Sequence, residues 1–187
     1  MAKVYLICGK LCCGKTTYSQ KLCTENDAVL LSVDEMTLTV FGQNCGEKHD
    51  EYVLNAKKYL LNKSLELIDK NINVVLDWGF WTNTERDFAK EFYRSHGIDC
   101  EFHYIDISDE TWKARLKKRN SAILAEETSA YYVDENLFAK FCSIFEAPNT
   151  SRNEIAVGND CITSAVSTGI LLNLSQINLT STPSKYS

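Results

Sequence analysis

Residues 9–16 read Gly9-Lys10-Leu11-Cys12-Cys13-Gly14-Lys15-Thr16, and they meet every fixed position of the pattern G-x-x-x-x-G-K-[ST]. That pattern holds phosphate. Its glycines let the backbone curl until successive N–H groups point inward at anionic oxygen. A helix opening just after it adds unpaired N–H groups and the positive end of a dipole. Lys15 is expected to bridge the terminal phosphates and the Thr16 hydroxyl to ligate Mg²⁺, with Thr17 in the same first turn. A chance glycine-rich turn would not need an apolar strand before it and a helix after it, and this sequence offers both. The expected ligands are ATP and Mg²⁺; no guanine-reading N-K-x-D is present.

Two acids stand where a phosphate-transfer site would want them. Asp34 closes the apolar run 28–33. It is either a cap or turn residue, or a general base that takes a proton from a hydroxyl attacking the γ-phosphate. Glu35 is a weaker candidate for the same work. Asp77 ends V-V-L-D, where it is either a turn residue or a Mg²⁺ ligand acting through water. Among the cations, Arg86 in T-N-T-E-R-D could pair with Asp77, reach phosphate, or form a surface ion pair. Arg115 and Arg119 are four residues apart in A-R-L-K-K-R-N and share a helix face. They suit a lid over the phosphates, because a guanidinium fork fits phosphoryl oxygens; the competing reading is a basic exposed face with Lys117 and Lys118. Trp78, Phe80 and Trp81 either wall a substrate pocket or cap the core. His49, His96 and His103 have no catalytic partner spacing and are read as structural.

The elements that must position these residues alternate. Strands are expected over 4–8, 28–33, 71–77, 100–107 and 154–157, and helices over 16–24, 49–69, 83–96, 109–119 and 132–145. The stretch 34–41 reads as a short helix or loop. Tyr52, Tyr59, Leu60, Leu67 and Ile68 share a face of the helix 49–69. Ser108 can cap the helix after it and Gly97 can end the one before it. Strands separated by helices pair in parallel through crossovers. The expected fold is α/β: a three-layer sandwich with a parallel five-stranded sheet and helices on both faces. Ligands in such sheets bind beyond the carboxyl ends of the strands, where Gly9, Asp34 and Asp77 all fall. One domain over 1–157 is expected, with a lid around 115–130 and an extension over 158–187. In that extension, 165–174 could form an apolar helix or another strand.

The chain has 187 residues, 44% hydrophobic and 24% charged, with a net charge of −5. An acidic chain carries no general cation field for nucleic acid or anionic membrane, which argues against both as partners. No stretch is apolar enough to span a bilayer, and the segment before the phosphate loop is too short for a signal peptide, so a cytoplasmic setting is expected. The eight cysteines form no C-x-x-C pair and are read as reduced. Cys12 and Cys13 stand apart, because a neighbouring lysine in an anion-binding loop could make a thiol redox-sensitive. Oligomeric state is not legible.

The segments G-K-L-C-C-G-K-T, S-V-D-E-M, V-V-L-D-W-G-F-W-T-N-T-E-R, R-L-K-K-R-N and F-E-A-P carry a resemblance over roughly residues 1–157. The chain resembles the small P-loop kinases grouped with polynucleotide 5′-hydroxyl kinase, chloramphenicol phosphotransferase and the zeta-toxin sugar-nucleotide kinases. It is closer still to the ATP-binding proteins of the AAA_33 type. The resemblance implies a nucleoside-kinase-like fold, Asp34 as base, Arg115 and Arg119 as lid arginines, and F-E-A-P-N near the adenine with Pro148 in the family's proline position. The tail from 158 and the pair Cys12-Cys13 depart from the family pattern. Three functions follow as expectations. The first is a kinase acting on a hydroxyl of an unidentified small molecule (antibiotic, nucleoside or sugar-nucleotide type), with Asp34, Trp78 and Arg86 at the acceptor. The second is a nucleotide switch or slow ATPase with a protein partner. The third is a nucleic-acid 5′-hydroxyl kinase.

Overall fold

The apolar run ahead of the phosphate loop becomes the centre of the sheet. In the computed structural model, which describes residues 2–42, 46–125, 132–148 and 154–157, strand β1 (Val4–Gly9) is buried at every position. It pairs in parallel with β3 (Asn73–Gly79) on one side and β4 (Cys100–Ile105) on the other. β2 (Ala28–Ser32) lies outside β3, and β5 (Glu154–Val157) outside β4, giving the order β2-β3-β1-β4-β5 with every pair parallel. Parallel neighbours need crossovers, and helices supply them: α1 (Lys15–Asn26), α2 (Val33–Phe41), α3 (His49–Asp69), α4 (Asn83–Ser95), α5 (Asp109–Leu124) and α6 (Glu135–Ile144). A short 3₁₀ turn, Gly46–Lys48, leads into α3.

Side chains alternate across β1, so both faces of the sheet have a core. Val4, Leu6 and Cys8 pack with Leu60, Leu61, Ala89 and Tyr93 from α3 and α4. Tyr5 and Ile7 pack with Leu22, Trp112 and Phe141 from α1, α5 and α6. This is the three-layer parallel sandwich expected from the sequence.

Local signals set several boundaries. Ser108 Oγ accepts from Thr111 N at 3.2 Å and starts α5, as expected. Thr82 does the same for α4, accepting from Glu85 N at 3.1 Å. Gly97, at φ 69°, follows the end of α4. Other boundaries move. β2 stops at Ser32, because that hydroxyl caps α2 by accepting from Glu35 N at 3.2 Å. Asp34 therefore sits in the first turn of a helix, not at the strand end. α5 runs on to Leu124, beyond the expected end at residue 119, since nothing from Asn120 to Leu124 breaks a helix. α6 begins at Glu135, after its cap Asp134. On α3 the buried stripe is Ala56, Leu60, Leu61 and Ser64, while Tyr59 is 53% exposed.

Residues 126–130 of the expected lid and the tail 158–187 lie outside the described residues, as do Cys45 and Cys161. Every cysteine among the described residues is a free thiol. No helix there is long and apolar enough to cross a membrane.

Candidate functional site

The phosphate loop sits between the end of β1 and the start of α1. Cys12 at φ 61° and Gly14 at φ 106° carry the backbone through left-handed conformations. Gly9 is required for a different reason: a Cβ there would meet Cys13 Sγ at 2.7 Å and the Ile105 carbonyl at 3.0 Å. Lys15 Nζ folds back over the loop, donating to Lys10 O at 2.9 Å and Gly9 O at 3.3 Å. Burial works against its charge, but Cys13, Asp77 and Asp34 nearby outweigh burial and raise its pKa. Lys15 therefore stays an ammonium, held by weak carbonyl partners that a phosphate can displace.

Thr16 Oγ1 donates to Asp77 Oδ2 at 2.7 Å. Asp77 is buried two residues before the end of β3, which runs on past the expected stop at residue 77, and burial raises its carboxyl pKa against the opposing pull of Lys15 and Thr16. A threonine hydroxyl beside a buried carboxylate is a hard-oxygen pair of the kind Mg²⁺ takes when phosphate supplies its other ligands. Among the described residues, no group of three His, Cys, Asp or Glu side chains could hold a metal alone. The residues present thus fit a cation that arrives with a nucleotide.

Helix α5 clasps the loop along its length. Trp112 Nε1 donates to Leu11 O at 2.5 Å, Arg115 Nη1 to Cys13 O at 2.5 Å, and Arg119 Nη1 to Cys12 Sγ at 3.1 Å. These residues are three and four apart, one helix face. Trp112 was not legible as a site residue. Lys10 points away from the cleft, 2.6 Å from Asp109 Oδ1 and over the Trp112 ring; only its backbone belongs to the loop. Cys13 is buried, and burial pushes its thiol pKa up, the opposite of activation.

Around this loop lies a cleft of about 400 Å³. Leu11, Cys12, Gly14, Lys15, Thr16, Thr17, Asp34, Asp77, Trp78, Arg115 and Arg119 all line it. Sequence reasoning missed its other two walls. One is α3, through His49, Asp50, Val53 and Lys57; the other is α6, through Leu137, Lys140, Phe141 and Ile144. His49 is thus a cleft residue and not a structural one. Neither helix carries a motif, because both reach the site by tertiary packing.

Arg86 is a correction of another kind. It is 1% exposed and turns into the core, away from the cleft. Its guanidinium donates to Phe80 O at 2.8 Å, Asn83 Oδ1 at 2.7 Å and Glu146 O at 2.9 Å. Glu146 N in turn donates to Trp81 O at 2.9 Å. The F-E-A-P segment is thereby tied to the β3–α4 corner, and α6, not residues 145–148, lines the cleft. The corner itself is strained: Gly79 is at φ 90° and Phe80 at φ 45°. Any Cβ on Gly79 would collide with the Trp81 indole, 2.9 Å from its Cδ1.

A family model described as an AAA domain, AAA_33, matches residues 4–148. The chain belongs to the AAA_33 family. No curated protein matches it. Three solved structures share the fold of this AAA_33 domain at low identity. A sugar kinase from Janibacter sp. is 16% identical over 89% of this chain and 93% of that chain, with a TM-score of 0.61. The APS kinase CysC of Mycobacterium tuberculosis, in complex with AMPPNP and APS, is 16% identical over 88% and 94%, with a TM-score of 0.59. Kti12 of Chaetomium thermophilum, in complex with ADP-AlF3, is 14% identical over 87% and 94%, with a TM-score of 0.63. At such identities the likeness carries the kinase-like α/β fold of this family and nothing finer.

Proposed function

We propose that this AAA_33 protein transfers the γ-phosphoryl group of ATP, with Mg²⁺, to a hydroxyl of a small molecule. The observation that carries the reading is the position of Asp34. It lines the same cleft as Lys15, Thr16 and Asp77, together with Asp50, Val53 and Lys57 of α3. The nucleotides bound by two of the fold neighbours support ATP as the donor.

In this reading Lys15 leaves its two carbonyl partners for the β- and γ-phosphates. Thr16 and Asp77 hold the metal, which offsets phosphate charge when bound. Arg115 and Arg119 move from the loop onto the transferring group. Asp34 accepts the acceptor's hydroxyl proton as the new O–P bond forms and the bond from the γ-phosphorus to the β–γ bridging oxygen breaks, releasing ADP. The net charge of −5 weighs against a nucleic-acid end as acceptor.

The test is ATP consumption with Mg²⁺ across a panel of hydroxylated acceptors: antibiotics, nucleosides, sugar nucleotides and 5′-hydroxyl oligonucleotides. One acceptor should stimulate turnover and gain the mass of a phosphate. In Asp34→Asn that turnover should fall by about 10²–10⁴-fold while nucleotide binding survives. Nucleotide binding with no stimulated turnover would favour a switch or slow ATPase working with a protein partner.

A further inference from the structure

The wall facing the phosphates carries one lysine, Lys57 of α3, and its charge is already matched. Lys57 Nζ donates to Glu85 Oε1 at 2.5 Å. Glu85 is itself fixed: its Oε2 accepts from Trp81 N at 2.9 Å, and its own N–H donates to Thr82 Oγ1 at 3.1 Å. The two side chains are 24% and 35% exposed, so the pair is screened less than one at the open surface. Lys140, on the opposite wall, lies 3.8 Å from Asp50 Oδ2. Asp34 remains on the acceptor side, and a bound triphosphate adds further negative charge. Trp78 also lines the cleft, and aromatic residues tolerate a cation nearby. An anionic acceptor would meet this field with the α3 lysine already matched, and with Lys140 only at the solvent-exposed rim of the opposite wall. A cationic one would be drawn in.

We propose that the acceptor site takes a hydroxylated small molecule bearing a protonated amine and rejects anionic ones, with Glu85 as the positioning residue that cancels Lys57. This rests on the kinase reading above and names the chemical class of its acceptor.

The experiment loads the whole protein with Mg²⁺ and AMPPNP and follows tryptophan fluorescence, since Trp78 and Trp81 line the cleft. The probes are glucosamine, glucose and glucuronate, which share a ring and differ in charge. Glucosamine should bind at least about tenfold more tightly than glucuronate. Glu85→Gln, which releases Lys57, should bring the two affinities together. Lys57→Gln, which unmasks the carboxylate instead, should widen the gap, so the idea stays open to refutation if either variant fails to fold. Each variant is titrated with AMPPNP first and then kept saturated with it, so that the sugar ratio is read at a filled nucleotide site. Glucuronate binding as well as glucosamine, no saturable glucosamine binding, or a ratio unmoved by both variants would each overturn the proposal. Failure of AMPPNP to bind appears before any sugar is added and sinks the kinase reading along with it. Tight glucosamine binding with no phosphate transferred from ATP would instead leave the charge selection standing and count against the kinase reading.

Discussion

The Thr16 hydroxyl and the Asp77 carboxylate, 61 residues apart in sequence, meet at 2.7 Å where α1 starts and β3 nears its end. The hydrogen bond and Lys15 only partly offset the cost of burying the carboxylate, whose pKa is raised chiefly by that burial. The pair is costly without a cation and useful with one.

Asp77→Asn separates those two effects. With its pKa raised in the fold, the ionised carboxylate destabilises the empty protein at neutral pH, and that cost fades as pH falls through the folded pKa. The variant should therefore melt at the same temperature as the parent or higher without ligand. Saturating Mg-ATP should raise the parent's melting temperature, by about 2.7 kcal/mol of stability at a hundred times Kd, and should raise the variant's far less. Paired thermal melts check both halves.

Arg119 is docked on the Cys12 sulfur of the phosphate loop. If it moves to the transferring phosphoryl group, its work belongs to the transition state. Arg119→Ala should lower kcat by about 10²–10³-fold, with ATP affinity changed much less. Steady-state kinetics with a direct binding titration distinguishes this from a loss of nucleotide binding.

Arg86 should matter to stability and not to catalysis. Arg86→Ala removes the guanidinium donors to the Phe80 and Glu146 carbonyls, and the buried Phe80 carbonyl, left with only the weak Cys8 thiol donor, should cost about 1–3 kcal/mol. Lysine cannot reach both carbonyls with one ammonium, so Arg86→Lys should rescue little. Urea unfolding should show a large drop for both variants.

His103 sets a pH dependence. Burial lowers its pKa, with Glu101 opposing and Lys3 assisting, and Tyr18 Oη lies 2.7 Å from its Nδ1. The unfolded chain takes up its proton near the ordinary pKa of about 6.5, whereas the folded chain does so only at lower pH. This contribution is therefore complete above the unfolded pKa and is lost as pH falls toward the folded one, at up to about 1.4 kcal/mol per pH unit. His103→Asn, which can still accept from Tyr18, should flatten the stability curve between pH 7 and 5 relative to the parent.

The parts of the site legible in the sequence are those with local signatures. Gly9, Gly14, Lys15 and Thr16 are fixed by short spacing, and Asp77 by closing an apolar run. Arg115 and Arg119 announce themselves as an i, i+4 pair. Trp112 reaches Leu11 across 101 residues, and nothing near either residue signals that contact. The walls from α3 and α6 are likewise products of how helices stack on the sheet. Arg86 shows the limit from the other side: a sequence displays a charge but not its burial. Asp34 is legible for a partly mistaken reason: a capping serine places it in the first turn of a helix instead of at a strand end, and the same cleft receives it.

The middle position of β1 has a consequence for synthesis. Val4 registers with Val74 on one side and Cys100 on the other, so the strand carrying the phosphate loop must wait for both neighbours to be translated. The clasp from Trp112, Arg115 and Arg119 comes later again. These contacts are distant in sequence and closing them is slow. A nascent chain halted before residue 100 would carry the whole motif and still lack one of β1's two pairing partners, leaving an apolar edge for chaperones to cover.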